Sequence, residues 1–465
     1  MNAVEQGGSM KSNFAKLSFA NAPVLTCAPP GPKSKTYLKN QKLREGAAVS
    51  YPKGIPMAIQ RANGATIEDV DGNIYIDFFG GAGVMAVGHS NPEVVRKVAA
   101  QLKEVTHCLD FPTPARKDLL DKLFSVLPKS VNKVQFGGPT GSDAVETALK
   151  LAKINTGKHS VIAFEGAYHG MTAGALSVTS DRTHKKGLMP LLPDVHFIPY
   201  AYCYRCSFDR SPGQCDLECA KYLEHVLDDP HSGVSDPCAV IIEAIQGEGG
   251  TIVPPDGYIA KIRKICSKYD VILIADEIQS GFCRTGRMFA YEHDGIVPDI
   301  ITLSKALGGI GLPISGIAYK ESLDKWSSGQ HIGTFRGNQL AYAAGSAAIH
   351  FMLEHRLDNH AKEIGTLLKN SLKALEKDSK IIGEVRGSGL MLGVEIVDDK
   401  ASKRPSPQLA KEIRHVCHQM GLLIEIGGHY GNVARFLPPL VITDALALKG
   451  AGIFADAVVT VEKKL

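Results

Sequence analysis

Apolar runs without polar interruption recur through the middle of the chain: Val161-Ile-Ala-Phe, Ala239-Val-Ile-Ile, Val271-Ile-Leu-Ile-Ala and Ile300-Ile-Thr-Leu. A strand wetted on one face alternates apolar with polar, whereas a strand covered on both faces does not. These runs therefore predict a mostly parallel sheet between layers of helix. Ser315-Gly-Ile-Ala-Tyr continues the series, and Val134-Gln-Phe leads into a glycine-rich turn. Residues 143–154 are amphipathic at helical spacing. Strands and helices alternating in this way predict an α/β fold.

The flanks follow other patterns. Residues 1–50 are rich in Pro and Lys and predict an irregular arm. Thr66-Ile-Glu-Asp-Val and Ile74-Tyr-Ile-Asp-Phe, separated by Asp71-Gly72-Asn73, predict two strands joined by a tight turn. Residues 91–106 have helical periodicity, with Pro92 suited to a first turn. Helices are predicted over 341–351 and 359–376, followed by antiparallel strands at Gly383-Glu-Val-Arg and Met391-Leu-Gly-Val-Glu-Ile. At 465 residues the chain exceeds what one core usually organises. The expected division is an arm and part of a small domain (1–70), a large domain (71–345) and a smaller α+β domain (346–465).

Composition narrows the function classes. A net charge of +4, with both signs interspersed, gives no basic patch for nucleic acid. No apolar run is long enough to predict a membrane span, and the first residues lack the apolar core of a secretory signal. A cytoplasmic enzyme is expected. Gly7-Gly8-Ser9-Met10 has the look of a cloning junction or an alternative start. Six of the ten cysteines are scattered and read as reduced thiols, while Cys203, Cys206, Cys215 and Cys219 cluster.

Three features carry chemistry. An apolar strand runs into Asp276-Glu277, and an acid at the carboxyl end of such a strand can hold a protonated heterocyclic nitrogen. By itself it could equally cap a helix or pair with a base. Lys305 follows Ile300-Ile-Thr-Leu-Ser304 and precedes Ala306-Leu307-Gly308-Gly309. A desolvated lysine there is nucleophilic towards carbonyls, although a structural pairing with Asp276 or Glu277 is the plainer explanation. Gly137-Gly138-Pro139-Thr140-Gly141-Ser142-Asp143 opens a helix and offers backbone N–H groups to a phosphate. No Lys-Ser/Thr follows the glycines, so it is not a nucleoside-triphosphate loop. Pyridoxal 5′-phosphate (PLP) requires this combination of lysine, acid and phosphate cradle.

From about residue 45 onward the chain resembles the class III (ω-type) aminotransferases of PLP fold type I. The resemblance is carried by 275–286 (ADEIQSGFCRTG), 304–309 (SKALGG), 243–250 (EAIQGEGG) and Tyr168-His169-Gly170. It implies a seven-stranded, mostly parallel sheet flanked by helices, plus a smaller α+β domain. Lys305 would hold PLP as a Schiff base and Asp276 would pair with its ring nitrogen. Tyr168 and Ile278 would sandwich the ring, and Gln279 would bond its O3′. Gly141 and Ser142 would hold the phosphate together with Thr334 from a second subunit, which implies a homodimer with shared sites and permits a tetramer. Arg435 would grip a substrate carboxylate, Glu248 would gate it, and Ala82 would leave the pocket roomy. His169 would support the cofactor, whereas His89 reads as a structural loop residue.

Family members acting on 4-aminobutyrate or ornithine often carry arginine where Met171 stands. Residues 136–146 and 333–341 look nearest to the diaminobutyrate:2-oxoglutarate branch. The expected substrates are L-2,4-diaminobutyrate and 2-oxoglutarate, with Arg336 a candidate for the distal carboxylate. An amino-acid racemase or epimerase on the same scaffold, or a 4-aminobutyrate-type aminotransferase, stands as the alternative. A 1,2-aminomutase is disfavoured by the Arg435–Glu248 gate. Catalysis needs no metal, and the four clustered cysteines read either as a thiolate zinc site or as a loop of surface thiols.

Overall fold

The computed structural model describes residues 14–211 and 213–465, so Gly7-Gly8-Ser9-Met10 lies outside the described residues. Its centre is a seven-stranded sheet. In spatial order the strands are Lys133–Phe136, Gly316–Tyr319, Ile300–Leu303, Ile272–Asp276, Ala239–Ile242, Val161–Phe164 and Val195–Ile198. Gly316–Tyr319 runs antiparallel to both neighbours and the remaining pairings are parallel. The uninterrupted apolar runs are buried throughout, as covering both faces demands. The half-buried edge strand Val195–Ile198 was not anticipated, because its Val-His-Phe-Ile pattern lacks a continuous apolar run.

Two four-stranded sheets complete the molecule. One joins Ile382–Ser388, Met391–Ile396, Val433–Phe436 and Glu425–Gly427, all antiparallel. The other pairs Ile59–Asn63, Thr66–Asp69 and Ile74–Asp77, and takes Leu422–Leu423 as a parallel fourth strand. Segments more than 340 residues apart thus share one sheet.

Two expectations about elements need correction. The arm is not wholly irregular, because Pro32–Arg44 forms a helix. Its first N–H groups are satisfied from outside, as Lys33 N and Ser34 N each donate to the Asp71 carboxylate at 2.8 Å. The helix expected over 91–106 stops at Gln101, whose side chain donates to the Val105 carbonyl at 2.8 Å and pins the chain after it has left the helix. No helix among the described residues is long and apolar enough to cross a membrane.

Candidate active site

Two neighbouring parallel strands set the site. Asp276 ends one of them and lies in register with Thr302 on the next, three residues before Lys305. Thr302 Oγ1 donates to Asp276 Oδ1 at 2.9 Å, Ile278 N donates to the same oxygen at 3.1 Å, and His169 Nδ1 donates to Oδ2 at 2.6 Å. Three donors fix a carboxylate that is only 4% exposed. Burial alone would lower the His169 pKa, but the bond to Asp276 together with the Asp276 and Glu243 charges outweighs it and the net direction is upward. Glu277 turns away from Lys305 and accepts from Ser280 and from the N–H groups of Ala290 and Tyr291.

Lys305 begins a short 3₁₀ turn with φ of 44°, a left-handed conformation that an L side chain adopts at a cost. Its ammonium makes no hydrogen bond or ion pair with any described residue. Burial depresses its pKa, the Glu248 charge opposes this and Arg435 adds to it, for a net lowering. The expected pairing with Asp276 or Glu277 is therefore not made, and an uncommitted amine faces the cavity.

The cradle opens the helix Gly141–Thr156. Asp143 Oδ2 accepts from Thr140 N at 2.9 Å as half of a capping box, and Asp143 N donates to the Thr140 carbonyl at 3.0 Å; the N–H groups of Gly141 and Ser142 make no bond to any described residue. Ser142 Oγ accepts from Met171 N at 3.1 Å. Gly170 has φ of 130°, and a Cβ there would lie 2.1 Å from Ser142 Oγ, so only glycine lets the 168–171 segment approach the cradle.

Arg435 is 1% exposed, and its Nη1 lies 2.7 Å from Glu248 Oε2. The contact is an ion pair of poor hydrogen-bond geometry, leaving Nε, Nη1 and Nη2 without a directed partner. Burial pushes Glu248 upward, but Arg435 and Lys305 hold it down at about 2. Gln279 Nε2 donates to Glu248 Oε1 at 3.2 Å and to the Ala82 carbonyl at 3.3 Å, while its Oε1 has no partner. Ala82 has a left-handed backbone, with φ of 58°. Glu425 lies opposite Arg435 in register, so two carboxylates attend one guanidinium.

One cavity of about 160 Å³ is lined by Gly141, Ser142, Tyr168, Glu248, Asp276, Ile278, Gln279 and Lys305, all expected from the sequence. His169, Gly170 and Glu243 line it too. Arg435 sits behind Glu248 rather than in the wall. Thr334 is exposed, lies outside this cavity, and has its carbonyl 2.6 Å from His107 Nε2. Arg336 does not line the cavity either. It is bound to Asp110 and to the His331 carbonyl of its own chain.

Glu243 and Thr302 were passed over. Glu243 accepts from Tyr168 N at 3.1 Å and Gly247 N at 2.8 Å, and burial pushes its pKa up to about 7. It follows the apolar strand Ala239–Ile242 as Asp276 ends its own strand, a signal that was available. Thr302 is the lone polar residue in a buried strand, which was also legible. The free lysine, the fixed acid, the unpartnered Gln279 oxygen and the open helix N-terminus fit an aldehyde-bearing, phosphorylated pyridine.

The family model for "Aminotransferase class-III" matches residues 48–458. A diaminobutyrate–2-oxoglutarate aminotransferase of Rhizobium meliloti is 43% identical over 432 residues, covering 90% of this chain and 92% of that protein. An alanine/serine racemase of Pyrococcus horikoshii is 35% identical and covers 94% of this chain and 92% of that protein. Among solved structures, the ornithine aminotransferase of Toxoplasma gondii superposes with a TM-score of 0.81 at 27% identity, covering 93% of this chain and 96% of that one.

Proposed function

The chain belongs to the class III aminotransferases, which are PLP-dependent, and on that premise we propose that it moves an amino group between L-2,4-diaminobutyrate and 2-oxoglutarate. PLP, when bound, supplies an aldehyde to capture the amine and a protonated ring to accept electrons from the adjacent carbon. Lys305 would hold the aldehyde, and its Nζ, once released, would serve as the base that moves the proton of the adjacent carbon. Burial lowers its pKa, a direction that favours the neutral amine a base requires. Asp276, fixed by Thr302 and His169, would pair with the ring nitrogen and keep it protonated. Tyr168 and Ile278 would sandwich the ring, Gln279 would bond its O3′, and Gly141 and Ser142 would take the phosphate with Thr334 of the partner subunit. A cytoplasmic homodimer follows from the same proposal.

The observation that carries the two-substrate cycle is the buried Arg435–Glu248 pair beside the free Lys305. While the pair is closed, an amine donor meets no free guanidinium. When Glu248 swings out, Arg435 offers a bidentate fork to the carboxylate of an oxo acid. Glu248 is the carboxylate in the cavity wall that a second ammonium of the donor would meet. Met171, where an anchoring arginine would favour 4-aminobutyrate, points the same way.

A panel of amines tested against 2-oxoglutarate and pyruvate, following glutamate or alanine, checks the proposal. Diaminobutyrate with 2-oxoglutarate is expected to give the highest kcat/KM, and an inert diaminobutyrate beside a fast 4-aminobutyrate would refute it. A racemase is the second reading, favoured by the Pyrococcus relative. Incubation with one amino acid and no oxo acid separates the two. Racemisation without accumulation of the aminated cofactor would overturn transamination.

A further inference from the structure

Residues 199–217 connect the edge strand Val195–Ile198 to the helix Glu218–Asp228 with only a single 3₁₀ turn, Cys203–Arg205, of regular structure. Loops this long need a reason to hold their shape. Between 206 and 217 the only large apolar side chains are Phe208 and Leu217, too few for a core of their own. The loop is nonetheless built into the molecule at its start. Tyr202 Oη donates to Glu395, and Arg205 Nε donates to the same carboxylate at 2.7 Å. Arg386 also donates to Glu395, at 2.6 Å, and from Nη2 to the Gly250 carbonyl at 2.7 Å. Gly250 lies two residues beyond the gate residue Glu248.

The four clustered cysteines converge in this loop. All four are half-buried, none is in a disulfide, and all line a single cavity closed by Tyr202, Phe208 and Pro255. They come from three places: the 3₁₀ turn and its exit (Cys203, Cys206), the returning loop (Cys215) and the first turn of a helix (Cys219). Thiols are weak hydrogen-bonding groups and do not draw one another in. Consistently, no three of the sulfurs lie within 4.8 Å of one another. A tetrahedral zinc with bonds of about 2.3 Å would bring them within about 4 Å and supply the missing attraction. Arg210 and Glu218, 4.0 Å apart, both line the same cavity, so the wall around the centre carries one charge of each sign.

We propose that Cys203, Cys206, Cys215 and Cys219 form a structural zinc site that closes the 203–219 loop. Binding converts four thiols to thiolates, releases four protons to solvent and leaves a site of net charge −2, with no change in oxidation state. Zinc rather than a multinuclear cluster is assigned because four cysteines around one small cavity match the donor set of a closed tetrahedral structural site. The site lies outside the PLP cavity and takes no part in transamination. Its task is to seat Tyr202 and Arg205 on Glu395.

The test uses the full-length holoenzyme purified without chelator. Elemental analysis is expected to find one zinc per chain, and thiol titration to find four cysteines that become reactive only after chelation. Cys206→Ser and Cys215→Ser are expected to lose the zinc and to lower Tm by several degrees while retaining the PLP absorbance. Zinc-free protein after growth and refolding with added zinc would overturn the proposal. So would iron in place of zinc, or two disulfides among these cysteines in a non-reducing peptide map. The wild-type metal and thiol counts decide the matter even if the variants fail to fold.

Discussion

Asp276 and Glu243 finish adjacent strands of the same sheet, with His169 close to both, yet their surroundings separate them. Asp276 is met by a hydroxyl, an imidazole and an amide, whereas burial dominates at Glu243 and lifts it from 4.5 to about 7. Folded Glu243 keeps its proton where the unfolded chain has lost it. Its burial therefore costs nothing below pH 4.5, and stability falls as pH rises from there to about 7. A lift of that size amounts to about 3 kcal/mol at most. Glu243→Gln is expected to flatten this part of the Tm–pH profile between pH 5 and 8; an unchanged slope would show that the group does not titrate there. Lys305 and Asp276 were legible because each stands where an apolar strand ends beside a recognisable segment. Arg336, like Thr334, lies outside the cavity of its own chain, and sequence alone could not show what holds it there. Asp110, 226 residues away, claims its guanidinium.

At the scale of elements, the buried strands could be read almost to the residue, since burial on both faces imposes an unbroken apolar run. The helix Pro32–Arg44 could not. It is polar nearly all round, buries only Ser34, and takes its N-terminal cap from Asp71 in the turn of a distant hairpin. Asp71→Ala should destabilise this helix by about 1 kcal/mol, the usual worth of an N-cap. Amide hydrogen exchange across residues 33–44 is the measurement, with transaminase kcat/KM unaffected. Protection equal to wild type would mean that the external cap contributes nothing.

For the whole molecule, the cavity described within one chain is lined by every residue expected to touch the cofactor except Thr334. If a second subunit supplies it, Thr334→Ala should weaken PLP binding by about tenfold, the worth of one hydrogen bond to a charged group. Mixing gives a sharper readout. In a Lys305→Ala/Thr334→Ala heterodimer, the chain that retains Lys305 receives an intact Thr334 from its partner. One native site per dimer should reappear, with wild-type PLP affinity and about half the activity of the wild-type dimer. Mixed dimers without a native site would place Thr334 in its own chain's site, and a Thr334→Ala homodimer of wild-type affinity would place it in none.

The sequence by itself determined the α/β class, the strand ends that bear Asp276 and Lys305, and the glycine-rich opening of the phosphate cradle. Each of these is a local pattern set by burial period or turn chemistry, legible without distant neighbours. Only the tertiary structure decided which charges are spoken for. It left the Lys305 amine without a partner among the described residues, seated Arg435 behind Glu248 with Glu425 opposite, and gave Arg336 to Asp110. The physical reason is reach. A charged side chain acts over a few ångströms of space, and what lies within them comes from segments hundreds of residues apart.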